Sequence, residues 1–196
     1  MTNGKEMSQF MKNINKIRPQ VRRTYEWIFE AFLILIQEKE PERITVCEIT
    51  KKAGVARQTF YRNYTNKNDI IQKYIDLIFL DFVQSIEDRH TCKDICLCYF
   101  ETLYQHKHSL ISLIKYYDAE IILKTFSRYI DVFIRILSQD ESKIKKNSNP
   151  QYQIMYQVGG TIFITSEWIQ KGMQSSVKDM ANLVKRTSSS NYFFNK

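Results

Sequence analysis

Apolar residues along this chain recur at the spacing of one helix face, beginning with Tyr25, Ile28, Phe32, Leu35 and Ile36. Pro19 suits the first turn of that helix, and Lys39, Glu40, Pro41 and Glu42 break it, so the pattern predicts a helix from Pro19 to about Gln37. Val46, Ile49 and Ala53 continue the helical spacing. Thr45 stands where a cap is needed and Glu48 follows three residues on, which makes a capping box. Gly54 then supplies the left-handed residue that stops a helix. A second short helix restarts near Ala56 and carries Arg57, Gln58, Thr59, Tyr61, Arg62 and Asn63. Its inward residues are Phe60 and Tyr64, four apart. A short helix with one apolar stripe and a polar, basic face suits the DNA major groove.

The next helix is expected from about Lys67, with Asn66 as cap and Asp69 near its positive end. It carries Ile70, Ile71, Tyr74, Ile75, Ile78, Phe79 and Phe82. Further helices are expected at about Thr91–Gln105, Ser109–Tyr116, Asp118–Leu137, Gln151–Lys171 and Val177–Lys185, with a polar loop over 138–150. Five Gly and three Pro leave little material for the turns of a β fold. The fold class is therefore all-α, with about nine helices. A three-helix helix-turn-helix domain is expected over 1–75, folded from about 18 to 75. A helical regulatory and dimerisation domain follows over 76–196. The boundary, near Asp76, falls inside one helix, which could carry motion between the domains.

Charge sharpens this division. Residues 1–75 hold 14 Lys and Arg against 8 Asp and Glu, whereas residues 76–196 hold 15 against 13. The basic excess accompanies the helix-turn-helix, as phosphate binding requires. No Gly-rich phosphate loop, nucleophile elbow or catalytic His/Cys/Asp constellation is present, so no enzyme, catalytic residue or cofactor is expected. Cys47, Cys92, Cys96 and Cys98 match no common zinc spacing and read as buried, reduced thiols. The N-terminus lacks an apolar signal core, and the run Ala31–Ile36 is too short to span a bilayer. A cytoplasmic protein without membrane contact is expected.

The segments ITVCEI, KAGVARQTFYRNY and NKNDII together resemble the DNA-binding domain of TetR-family transcriptional regulators. GGTIFITSEWIQKGM, from Gly159 to Met173, resembles the C-terminal domain of a TetR subgroup common in low-GC Gram-positive bacteria. The resemblance implies DNA contacts by Arg57, Gln58, Thr59, Tyr61 and Asn63. Arg57 suits guanine and Gln58 suits adenine by their bidentate geometry. Thr45 and Lys67, at helix starts, are placed for phosphates. Arg22, with Arg18 and Arg23, is placed for the backbone or a minor groove. Phe100, Tyr104, Tyr117, Phe126, Phe163 and Trp168 are candidate walls of an apolar ligand pocket. The last two helices resemble the family's dimerisation pair, with Gly159 and Gly160 permitting close approach and Trp168 and Met173 supplying area. The expected function is a ligand-responsive homodimeric repressor of a double-stranded operator, with a possible small-molecule effector. The alternative is a TetR-like coactivator working mainly through a protein partner.

Overall fold

The structure, a computed structural model, describes residues 18–87, 94–117, 129 and 150–189. All regular structure among them is helical. Helix α1 is Pro19–Glu38, a 3₁₀ turn spans Pro41–Arg43, and α2 (Val46–Lys52), α3 (Arg57–Asn63) and α4 (Asn68–Glu87) follow. Beyond them come α5 (Ile95–Gln105), α6 (Lys107–Tyr116), α7 (Pro150–Gln170) and α8 (Val177–Ser189). The expected helix at Asp118–Leu137 lies outside the described residues, apart from Tyr129, which is buried. The chain divides into two compact units, Met1–Gln84 and Ser85–Lys196. The division falls further along the shared helix than Asp76.

In the first unit, α1 packs on α2 and α2 on α3. Its core is Ile28, Phe29, Phe32, Ile36, Ile44, Ile49, Phe60 and the α4 stripe from Ile70 to Phe82. Phe29 of α1 stacks on Tyr74 of α4, with ring centroids 3.4 Å apart. The capping box forms: Thr45 Oγ1 accepts from the Glu48 amide, and Glu48 Oε2 accepts from the Thr45 amide at 2.9 Å. Ile44 and Ile49, on either side of it, are both buried, at the spacing of a hydrophobic staple. Gly54 adopts φ +67°, which lets the chain leave α2 and enter α3 within three residues. Asn66 caps α4 by accepting from the Asn68 amide, while Asp69 accepts from the amides of Thr65 and Asn66.

In the second unit, α5 packs on α8 and α6 on α7. Asp94 caps α5 by accepting from the Leu97 amide. Phe100, Leu103, Leu110, Leu113, Trp168 and Ile169 are buried. Tyr99 and Thr165 share a buried hydroxyl–hydroxyl hydrogen bond of 3.1 Å. The turn from α7 to α8 places Gly172 and Met173 at positive φ. It is held by the Met173 amide donating to Trp168 O and by Trp168 Nε1 donating to Ser175 O.

Candidate nucleic-acid interface

Helix α3 has seven residues and one buried side chain, Phe60. At about 100° per residue, Gln58 and Arg62 stand opposite Phe60, with Arg57 and Tyr61 on one flank and Thr59 and Asn63 on the other. Exposure follows this wheel. Arg57, Gln58, Tyr61 and Arg62 are exposed, and Thr59 and Asn63 are half-buried. Phe60 packs on Tyr64, which packs edge-on against Tyr25 of α1, so an aromatic cluster fixes the angle at which α3 is presented.

The outward side chains are partly pre-positioned. The Arg57 guanidinium is held above its ordinary pKa by the neighbouring Tyr61 hydroxyl, with Cys47 contributing further. Asn63 Nδ2 donates to Thr59 O at 2.7 Å, so its amide is turned along its own helix. Arg62 shares the outward face of Gln58 and lies outside the contacts that the resemblance implies. Its signal was its place one helical turn after Gln58. Lys51 on α2 is likewise exposed and, like Arg62, pairs with no carboxylate among the described residues. By contrast Lys39, Arg43 and Lys52 are paired with Glu48, Glu40 and Glu38.

Three expected phosphate contacts have other work. The Thr45 side chain is engaged in the capping box. Lys67 Nζ donates to the carbonyls of Pro41, Glu42 and Ile44 at 2.9, 3.0 and 2.7 Å. An ammonium has three N–H donors, so none is left for a phosphate. Lys67 instead ties the start of α4 to the turn before α2. Arg22 donates from Nη1 and Nη2 to the two carboxylate oxygens of Asp81, at 2.7 and 2.8 Å, and from Nε to Glu26 at 2.9 Å. Asp81 lies fourteen residues beyond Lys67, about 20 Å along α4 from its start. Arg22 is therefore engaged within the protein.

The candidate ligand residues disperse. Phe100 is fully buried and meets Trp168 edge-on, with centroids 5.4 Å apart. Tyr104, 45% exposed, stacks on the same indole. Tyr117 is half-buried, and Phe126 lies outside the described residues. Phe163 is 59% exposed. Phe163 and Trp168 meet at an open depression of about 280 Å³, shared with Glu167, Lys171 and Met180. Glu167, in an apolar run, reaches solvent and pairs with Lys171 at 3.4 Å.

Trp168 and Met173, expected at an interface, are 4% and 2% exposed within the chain itself, because the α7–α8 turn folds over them. The outward apolar face of α7 is instead Tyr152, Met155, Tyr156 and Phe163, with Leu183 exposed on α8. Gly159 and Gly160 lie between Tyr156 and Phe163, both exposed, with nothing within 4 Å of a Cβ added at either.

The cysteines depart from buried, reduced thiols. Cys47 is exposed and Cys96 half-buried, both free. Cys98 is buried but disulfide-bonded, and Cys92 lies outside the described residues. Among the described residues no group of three or more His, Cys, Asp or Glu is arranged to hold a metal. No described helix is long and apolar enough to cross a membrane.

Comparison with known proteins places these features. Residues 28–74 match the model for bacterial regulatory proteins of the tetR family, and residues 90–190 match the model for a transcriptional regulator C-terminal region. The chain belongs to the TetR family of transcriptional regulators. It is 36% identical over 73 residues to the HTH-type transcriptional regulator YxbF of Bacillus subtilis, covering 37% of this chain and 19% of YxbF. It is 32% identical over 65 residues to YvdT of the same organism, covering 33% of this chain and 34% of YvdT. Thus the match spans about a third or less of these relatives.

Two solved structures share the TetR-family fold over 85% of the chain. One is the dihydroxyacetone kinase operon activator DhaS, with TM-score 0.57, 20% identity and 94% of its own chain covered. The other is the fatty acid degradation regulator FadR of Bacillus halodurans, with TM-score 0.61, 16% identity and 98% covered. The chain is thus an all-α, DNA-binding transcriptional regulator, in a family of non-enzymatic proteins.

Proposed function

We propose that two copies of this chain form a two-fold dimer that reads an operator with its paired α3 helices and releases it when a small molecule binds the second unit. The observation that carries the DNA-reading part is the division of α3, with Phe60 buried and Arg57, Gln58, Tyr61 and Arg62 outward. Arg57, Gln58 and Arg62 supply the bidentate groups suited to guanine and adenine edges. Thr59, Tyr61 and Lys51 flank them for methyl and phosphate contacts.

The outward face of α7 supports the dimer. Tyr152, Tyr156 and Phe163 recur down one side of the helix, and two glycines sit among them. A mid-helix glycine costs about 1 kcal/mol relative to Ala, and among the described residues nothing lies within 4 Å of a Cβ added at either. Close approach by a second helix gives that space a use. A two-fold pair would set its α3 helices in successive major grooves, about 34–36 Å apart or a multiple of it. The depression between Phe163 and Trp168 and the aromatic surface around Tyr104 support a small apolar effector. By linkage, an effector that releases DNA must bind more tightly to the conformation that does not fit the operator. In that scheme the helix common to the two units, α4, carries the change.

The same aromatic face favours one second reading. A different regulator seated on α7 would make this chain act through a protein partner. A mobility shift with DNA flanking the chain's own gene, alongside sedimentation of the complex, tests both. The proposal expects two chains per operator and release by a cognate effector. One chain per DNA, or specific binding only when a second protein is added, supports the second reading instead.

A further inference from the structure

Helices α1 and α4 run antiparallel in register. Phe29 stacks on Tyr74, and one heptad back along α1 meets one heptad forward along α4, where Arg22 grips Asp81. The grip is a two-pronged fork across 59 residues of chain, with the third guanidinium arm on Glu26. Side-chain exposure is 30% for Arg22 and 22% for Asp81, so the pair is half-desolvated and geometrically fixed. Its carboxylate neighbours raise the pKa of Arg22 further. Asp81 is three residues before Gln84, where the first unit ends.

The start of α4 is also fastened, since Lys67 holds the carbonyls of Pro41, Glu42 and Ile44. One turn after Arg22, Tyr25 meets Tyr64 in the aromatic cluster behind α3. Helix α4 is thus tied to α1 through Asp81 and to the turn before α2 through Lys67. We propose that the Arg22–Asp81 pair is a positioning latch, fixing α4 against α1 one turn from the Tyr25–Tyr64 contact and so setting the tilt at which α3 meets DNA. The inference rests on the DNA-reading proposal and reassigns Arg22 from a phosphate contact to a residue that acts through α4. A lever held only at its Lys67 end would let α4 swing and α3 tilt with it.

The variants Arg22→Gln, Asp81→Asn and Arg22→Lys, and the exchange Arg22→Asp with Asp81→Arg, test this. Operator affinity is measured across salt concentrations, with hydrogen exchange of the α1 and α4 amides on the same samples. A latch predicts that both Gln and Asn variants bind the operator roughly two- to thirtyfold more weakly, the span expected for residues that modulate coupling without touching ligand. Their salt dependence would match that of the wild type. Exchange would rise at the start of α1 and near Asp81, and the exchanged pair would recover most of the loss. Arg22→Lys keeps the charge without the fork and would fold with an intermediate loss.

A salt slope lowered by about one in Arg22→Gln, with tighter binding in Asp81→Asn, would make Arg22 a phosphate contact and overturn the latch. Folded variants that lose thermal stability yet bind as the wild type would reduce the pair to a purely structural tie, also against it. If the wild type binds no operator, the DNA-reading proposal fails. Exchange at the two helix ends would still report whether the fastening exists, and unchanged exchange would defeat it.

Discussion

Helix α3 and helix α7 both turn their most telling residues outward, yet they are made differently. Helix α3 is seven residues long, anchored by Phe60, and presents guanidinium, amide and phenol groups. Helix α7 spans 21 residues and presents Tyr152, Met155, Tyr156 and Phe163 around two glycines. The contrast is one of partner chemistry. Hydrogen-bonding groups on a short, well-anchored rod suit base edges and phosphates, whose donors and acceptors must be matched in place. An aromatic face with gaps suits another protein surface, where contact area and close approach matter. One chain thus carries two outward faces of different chemistry.

The largest effect expected is on the anchor of α3. Phe60→Ala removes its one buried side chain and should destabilise the first unit by about 3–5 kcal/mol, read as a lower urea midpoint. An unaffected midpoint would mean that α3 is held by something other than Phe60 and its aromatic neighbours. The matching change on α7, Tyr156→Glu with Phe163→Glu, should leave the fold intact, because both side chains are exposed within the chain. It should convert a sedimenting dimer to monomer, and a dimer that persists would remove this face from the interface.

A smaller effect is expected at the start of α2. The hydrogen bond from Lys39, then those from the Thr45 amide and hydroxyl, hold the Glu48 carboxyl down to about 2. A depressed carboxyl lends stability that is present above its ordinary value of 4.5 and is lost as pH falls toward 2. Glu48→Gln should therefore flatten the acid limb of a stability profile between those values. An unchanged limb would show the box to be electrostatically idle. Smallest of all is Tyr64→Phe. The Tyr64 hydroxyl is buried with no hydrogen-bond partner among the described residues, and burial pushes its pKa up, with Tyr25 and Asp69 adding to the rise. Removing it should leave the melting temperature unchanged or raise it, by up to roughly 1 kcal/mol of stability. A clear loss would mean that the hydroxyl is satisfied in solution.

What was legible in the sequence was local. Thr45 with Glu48, Gly54, and Phe60 with Tyr64 announce the helix-turn-helix because caps and turns are fixed by residues three or four apart. The family match then named the outward residues of α3. The intramolecular partners of Arg22 and Lys67 were not legible, because they lie 59 and about 25 residues away in the chain and helical spacing carries no such information. Trp168 and Met173 were placed outward because an apolar helix without strong polarity does not reveal which side faces its neighbour. Two positive-φ residues in the turn settle that, and only one of them, Gly172, is visible as a glycine. Cys98 reads as a buried apolar residue, and spacing alone did not reveal its disulfide.

The central claim, that α3 reads sequence through its outward polar groups, is tested most directly by titrating wild type and the Gln58→Ala, Tyr61→Ala double variant against the chain's own operator and an unrelated duplex. The account predicts that the double variant loses about five- to 150-fold of its preference for the operator, the worth of the Gln58 base contact, while weak salt-sensitive binding to the unrelated duplex remains. Undiminished preference for the operator in a folded double variant would contradict it.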